Sequence, residues 1–277
     1  MSLLYEKLYK TINIIFTYSL ILFIYSFILK QQSSYNGSIS HMLAISCVFY
    51  IDMTIENKKY INIINIAVSI ILILMVGQRN SLLLVCVYIL LRTINYLYDR
   101  KKIRYIIMII LTLIIVGLLY KDIINSIMYI LEKLNINSRT LNLILSGEFL
   151  QHDSGRNIIY ESVLEGLKRS PILGIGLCGD SVAALKHGVY IYYAHSIIIE
   201  MWTSFGYIFG SIILIFLASK IIKSVFGIND YKNRLIIAFG AISVSSLLFN
   251  SSFWISIEFW IFIMLIFSRK KEVISNE

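Results

Sequence analysis

Proline is almost missing from this chain: Pro171 is the single one among 277 residues. Proline breaks helices by removing a backbone donor and crowding the preceding turn, so its near absence leaves long helices uninterrupted. Charge is scarce as well, at 15% of residues against 58% hydrophobic ones, and the mean hydropathy is +0.77. A soluble domain of this length has no way to hide that much apolar surface from water. Cysteine is too sparse and scattered for a disulfide framework or a metal cluster: Cys47 and Cys86 fall in apolar runs and Cys178 stands alone in a polar segment. There is no Asp-x-Asp pair to hold a metal-bound nucleotide sugar, no Gly-x-Ser-x-Gly elbow, no Walker loop and no His/Cys metal spacing. These gaps argue against nucleotide-sugar chemistry and lead us to expect neither cofactor nor metal.

What is present is a series of apolar runs of about 17–25 residues, the length that crosses a bilayer as a helix. They read as spans at 11–29, 41–55, 60–76, 81–98, 103–120, 195–219, 235–251 and 253–268. The expected fold is therefore an all-α, polytopic integral membrane protein of about eight transmembrane helices. It forms a single membrane domain over 1–277, interrupted by one large polar loop at 121–193. The first run lacks a small-residue cleavage site and reads as an uncleaved span.

Basic residues orient the spans. With a cytoplasmic N-terminus, fifteen of the 25 Lys and Arg fall on inside segments, among them Lys58-Lys59, Arg100-Lys101-Lys102 and Arg269-Lys270-Lys271. Short loops follow the positive-inside rule, and long translocated segments are largely exempt from it. The net charge of +9 is thus explained by topology and needs no nucleic-acid partner. The 121–193 loop then faces the extracytoplasmic side of a plasma membrane. It carries two amphipathic helices. One has apolar residues at Ile123, Ile127, Leu131 and Leu134; the other starts near Asp153 or Ser154, with a stripe of Ile158, Ile159, Val163 and Leu167, and stops at Ser170-Pro171.

Several residues in these segments carry chemical meaning. Arg156 opens the second amphipathic helix, where the backbone dipole favours an anion and disfavours a cation by a few tenths to about 1 kcal/mol. An anion bridging the guanidinium and the helix end explains that placement; a solvated arginine, or one paired with Asp153 or Glu161, explains it equally. Gly174-Ile175-Gly176 is a turn after Pro171 and lacks the context of a dinucleotide fingerprint. His195 follows Tyr190, Tyr192 and Tyr193 at the mouth of an apolar span, where an imidazole can accept a proton near neutral pH or serve as a polar anchor. Arg79 stands at the outer start of the fourth span, and Arg92, within that span, reads as a snorkelling side chain near the basic cytoplasmic loop. Glu200 and Glu258 sit about 9 and 7.5 Å inside their spans at 1.5 Å per residue, costly positions that call for partners; Arg79 is the nearest basic candidate for Glu200. Trp202 shares a helical face with His195 and could floor a sugar site, although facing lipid or packing in the core is the commoner use of such a residue.

The block SGRNIIYESVLEGLKRSPILGIGLCGDSVAALKHGVYIYYAHSIIIEMWTSFG, from Ser154 to Gly206, together with Gly77-Gln78-Arg79-Asn80-Ser81, resembles the O-antigen ligase/polymerase family of membrane glycosyltransferases. The resemblance covers roughly the C-terminal three-fifths of the chain. Where the family shows His-Asn, an apolar run and Glu, this chain keeps His195 and Glu200 but has Ser196 in place of the asparagine. Relatives usually carry more spans ahead of this block than the four or five here.

The resemblance implies His195 and Arg156 as catalytic residues. It implies Arg79 as a holder of the lipid pyrophosphate, keeps Glu200 of the family pattern, and gives Gly174 and Gly176 the shaping of the loop that leads to the histidine; Trp202, read from its spacing, completes the expected substrate-binding set. It also implies a polyprenyl-pyrophosphate-linked oligosaccharide as donor, membrane lipids as surroundings, and a chain-length regulator and flippase of the same pathway as partners. The expected reaction is metal-independent, inverting polymerisation of lipid-linked repeat units into O-antigen, capsular or exopolysaccharide at the outer face of a bacterial plasma membrane. A ligase handing the finished chain to lipid or protein would share every motif. A transporter or flippase of lipid-linked sugars fits less well, because no internal repeat is present and the proline lies outside the spans.

Overall fold

The computed structural model describes residues 3–26, 37–57, 61–76, 78–102, 104–105, 125–126, 128–129, 156–186, 188–249 and 251–268. Nine α-helices are found among them, and no strand. They are α1 Leu3–Ile24, α2 Gly37–Asn57, α3 Ile61–Val76, α4 Arg79–Asp99, α5 Arg156–Leu167, α6 Gly179–Lys186, α7 Ile197–Val225, α8 Tyr231–Phe249 and α9 Ile257–Phe267. The expected fifth span at 103–120 lies outside the described residues apart from 104–105. So does most of the expected first amphipathic helix of the loop, together with Asp153 and Ser154.

Among the described residues, four helices are long and apolar enough to cross a membrane: α1 (from Lys7), α2 (to Glu56), α4 and α7. The expectation of about eight spans is met only in part. α3 and α9 are apolar but shorter, and at 1.5 Å per residue the 11 residues of α9 reach only about 16 Å. The second run, which looks short in sequence, is a full helix of 21 residues.

The chain divides into two compact units, Met1–Ile158 and Ile159–Glu277. In the first, α2 packs against α1, α3 and α4, so its side chains form the centre: Leu43, Cys47, Val48, Tyr50 and Met53 are buried. Tyr50 fixes α1, its hydroxyl donating to Asn13 Oδ1 at 2.7 Å and its ring meeting Phe16 edge-on.

Arg92 fixes α4, and here the sequence reading needs correction. The side chain does not snorkel. It is wholly buried, with Nε donating to Asp52 Oδ1 at 2.7 Å, Nη2 to Glu56 Oε1 at 2.5 Å and Nη1 to Asn95 Oδ1 at 3.0 Å. Two carboxylates on α2 are a stronger draw than distant water, because a buried guanidinium needs paired, hydrogen-bonded partners.

α4 ends in a Schellman motif: Lys101 takes the left-handed conformation (φ 53°), and the Lys101 and Lys102 amides close on Tyr98 and Leu97.

The second unit holds two apolar cores. Ile197, Met201, Leu217, Ile236, Leu247, Phe253, Phe259 and Phe262 unite α7, α8 and α9. Val163, Ala183, Ala184, Ala194 and Ile199 unite α5, α6 and the start of α7. Small side chains set the second core: a Cβ on Gly166 would lie 2.5 Å from that of Ala183, so only glycine lets α5 and α6 approach this closely. The expected stripe on α5 holds for Val163 and Leu167, whereas Ile158 is exposed.

Candidate active site

A break in α7 organises the site. Gly206 adopts φ 79° and ψ 168°, a backbone region open essentially to glycine alone. The chain folds back there. Trp202 Nε1 donates to Ser211 Oγ at 3.0 Å, its ring meets that of Tyr207 at 5.2 Å, and a Cβ on Gly210 would lie 2.6 Å from the Met201 carbonyl oxygen. In a straight helix residues 201 and 210 would stand about 13 Å apart along the axis. The expected span over 195–219 is therefore two pieces. Residues 207–225, about 28 Å long, make the long helix, and 197–205 is a short lead-in lying beside it.

The Pro171 turn fills the break. An unbroken helix would have Tyr207 N–H donate to Thr203 O. Instead Ile175 N–H donates to Thr203 O at 2.6 Å and Tyr207 N–H donates to Pro171 O at 2.8 Å. The inserted loop satisfies both orphaned groups, as buried backbone requires. Gly174 (φ 77°) lies against the break, where a Cβ would come within 2.6 Å of Gly206 N and 2.7 Å of Thr203 O. Gly176 (φ 103°) faces open space. Of the two glycines expected to shape the loop, Gly174 is thus needed for close approach and Gly176 for its backbone conformation.

His195 follows from this scaffold. It takes φ 55°, a left-handed conformation that costs a residue with a Cβ roughly 1–2 kcal/mol, and it sits between buried Ala194 and Ser196, the N-cap of α7. Its ring packs edge-on against Tyr193 at 4.4 Å. The Ala194 N–H donates to Asp180 Oδ2 at 2.7 Å. Asp180 is 3% exposed and stands in the first turn of α6, where the helix dipole favours a carboxylate.

Sequence reasoning missed Asp180. The available signal was an acidic residue directly after Gly179, at the start of a short amphipathic run. Beside it, Ser181, Val182, Leu185, Tyr190, Ile191 and Tyr192 line a cavity of about 460 Å³, within the size range of small-ligand sites.

Glu200 is buried in the lead-in of α7, but its depth is not that of a residue 9 Å down a continuous span. Its Oε2 accepts from Ser252 Oγ at 2.8 Å and from Phe253 N–H at 3.2 Å, tying the lead-in to the turn between α8 and α9. Within its own unit the partners are a hydroxyl and an amide. Glu258 likewise is not deep in a span. It is the second residue of α9, and its Oε2 accepts from Ser256 Oγ at 3.1 Å, the N-cap whose oxygen also takes the Phe259 N–H. Trp202, expected as a sugar floor sharing a face with His195, spends its indole N–H on Ser211, and His195 lies outside the helix altogether.

Arg79 and Arg156 share a placement: each is the first residue of its helix and half-buried. Arg79 follows Gln78, a buried side chain whose Oε1 accepts from Ser81 Oγ at 2.8 Å and which packs against Gly37. Among the described residues, no group of three or more His, Cys, Asp or Glu is placed to hold a metal ion.

The described residues are helical, with several helices of membrane length, and the family they match points to a membrane enzyme of glycosyl-transferring type. The chain belongs to the O-antigen ligase family, whose model matches residues 64–215, a stretch that runs from α3 through the broken helix. No curated protein and no solved structure matches.

Proposed function

We propose that this protein is a glycan ligase of the outer membrane face, moving a polysaccharide from a polyprenyl-pyrophosphate carrier to an acceptor hydroxyl on lipid or protein. The single observation that carries the reading is the turn around His195, a half-buried imidazole held in a left-handed conformation at the start of α7, within the matched family region. His195 takes the proton of the acceptor hydroxyl. The oxygen bonds to the anomeric carbon of the donor as the bond from that carbon to the pyrophosphate breaks. Polyprenyl pyrophosphate leaves, and one in-line displacement inverts the anomeric centre.

By the family resemblance, Arg156 and Arg79, each the first residue of a helix, where the dipole favours an anion, neutralise the departing pyrophosphate in place of a metal. The cavity lined by Tyr190 and Tyr192 gives room for a sugar next to α6. Charge asymmetry puts the N-terminus in the cytoplasm and the 121–193 segment outside.

The ligase assignment follows the description of the matched family. It replaces repeat-unit polymerisation as the favoured reading, since the two differ only in whether the acceptor is another lipid-linked repeat. Deleting the gene and resolving cellular glycan on gels tests it. The expected result is full-length chains stranded on the polyprenyl carrier; a ladder collapsing to one repeat would make the protein a polymerase.

A further inference from the structure

Asp180 has no part in the scheme above, yet it is a buried carboxylate, 3% exposed, bonded directly to the turn. Among the described residues it forms no ion pair, and it accepts a hydrogen bond from a backbone amide, Ala194 N–H. Burying a carboxylate costs several kcal/mol unless hydrogen bonds and dipoles compensate, so a fold that keeps one here spends it on holding Ala194. The residue held is the one before His195. The following side is held too: Glu200, four residues beyond Ser196, ties the first turns of α7 to Ser252 and Phe253, and Glu200 N–H closes on Ser196 O at 2.9 Å. Asp180 also lies close enough to Glu200 to act on it electrostatically. The left-handed His195 is thus clamped between two buried carboxylates, one on each side in sequence.

We infer that Asp180 is a positioning residue for His195: by accepting from the Ala194 N–H it holds the Tyr193–Ala194 peptide, one peptide ahead of the histidine, so that the turn keeps φ of His195 positive and the imidazole keeps a single orientation. Without that bond the turn relaxes to negative φ, the region that a residue with a Cβ prefers, and the ring swings away. The inference rests on the reading of His195 as the base. It concerns geometry, and so it separates the acceptor oxygen of Asp180 from its charge.

The test uses full-length protein in nanodiscs and, as donor, the lipid-linked glycan extracted from cells lacking this protein. Asp180→Ala is expected to lower kcat about 10-fold to 10²-fold, the scale of a roughly 1 Å misplacement, with KM for the donor within about twofold. Asp180→Asn keeps an acceptor oxygen for Ala194 and is expected to recover kcat to within about threefold. In parallel, amide hydrogen exchange of the 190–196 segment is expected to speed up in Asp180→Ala and to stay normal in Asp180→Asn. Unchanged exchange in Asp180→Ala overturns the inference. So does an Asp180→Asn protein that inserts normally and is as slow as Asp180→Ala, since charge would then be what matters. If Asp180→Ala does not accumulate, Asp180→Asn is compared with the unaltered chain: kcat within about threefold and normal exchange uphold the inference, and a loss of about 10-fold or more overturns it. Exchange that responds as expected while both Asp180→Ala and His195→Ala transfer glycan normally would uphold the clamp and refute His195 as the base.

Discussion

Carboxylates are buried in both compact units, and the two compensate them differently. In the first unit Asp52 and Glu56 meet Arg92, a guanidinium whose three nitrogens are all engaged, with Asn95 completing the set. In the second, Asp180 and Glu200 meet neutral groups: the Ala194 and Phe253 amides and the Ser252 hydroxyl. Charge answered by charge locks α4 to α2 and leaves little donor capacity over. Charge answered by backbone amides locks loops instead, and it leaves Glu200 Oε1 without a hydrogen-bond partner among the described residues. The first arrangement suits a staple between helices. The second suits a turn that must hold an unusual backbone shape around a reactive side chain.

The largest effect should come from breaking the staple. Arg92→Ala leaves buried Asp52 and half-buried Glu56 without their cation, a loss of about 3 kcal/mol, readable as poor accumulation or early thermal unfolding in detergent. Replacing the set together, as Arg92→Met with Asp52→Leu and Glu56→Leu, should recover most of that stability while glycan transfer persists. A stable triple variant without transfer would show that the first unit's charges do more than hold helices, and the contrast would fail.

Next in size is Gly206→Ala. The new Cβ would meet the Ile172 carbonyl in a conformation that disfavours any side chain, and such strain costs roughly 1–3 kcal/mol. The loop should leave the break, so transfer should fall along with stability in a thermal-shift assay; a fully active, normally stable Gly206→Ala would mean the broken helix is dispensable. Glu200 gives a finer probe. Glu200→Ala orphans Ser252 and the Phe253 amide at about 1–3 kcal/mol, whereas Glu200→Gln keeps an acceptor and should cost under about 1 kcal/mol. Equal losses in the two variants would mean that the charge itself, and not hydrogen bonding to neutral groups, holds the lead-in. The smallest expected effect is none: purified protein should transfer glycan undiminished in excess EDTA, and activity lost there and restored by Mg²⁺ or Mn²⁺ would reveal a metal site.

The sequence carried the helical membrane class, the placement of His195 at the start of an apolar helix, Arg79 and Arg156 at helix starts, and the buried face of α5 at Val163 and Leu167. Periodicity and charge are local signals, and those features are local. What escaped is what depends on a distant partner. Arg92 looks like a snorkelling arginine because its carboxylates lie 36 and 40 positions away on another helix. The run through Gly206 looks continuous because one glycine in an apolar stretch is compatible with a helix. The break becomes stable only when Pro171 and Ile175 supply the hydrogen bonds that Tyr207 and Thr203 lose. Asp180 passed for an ordinary polar residue because its partner is a backbone amide, which no side-chain motif announces.

The proposed transfer depends most directly on the chemistry of one ring, the His195 imidazole. Purified protein in nanodiscs, given the lipid-linked glycan from cells lacking it and an acceptor membrane fraction, allows the transfer rate of His195→Ala to be compared with that of the unaltered chain. A positioned general base is worth about 10²–10⁴-fold, so the variant should insert normally, retain the donor and lose that factor in rate. A His195→Ala protein that inserts normally and transfers at full rate would reduce the imidazole to an interfacial anchor and contradict the central claim.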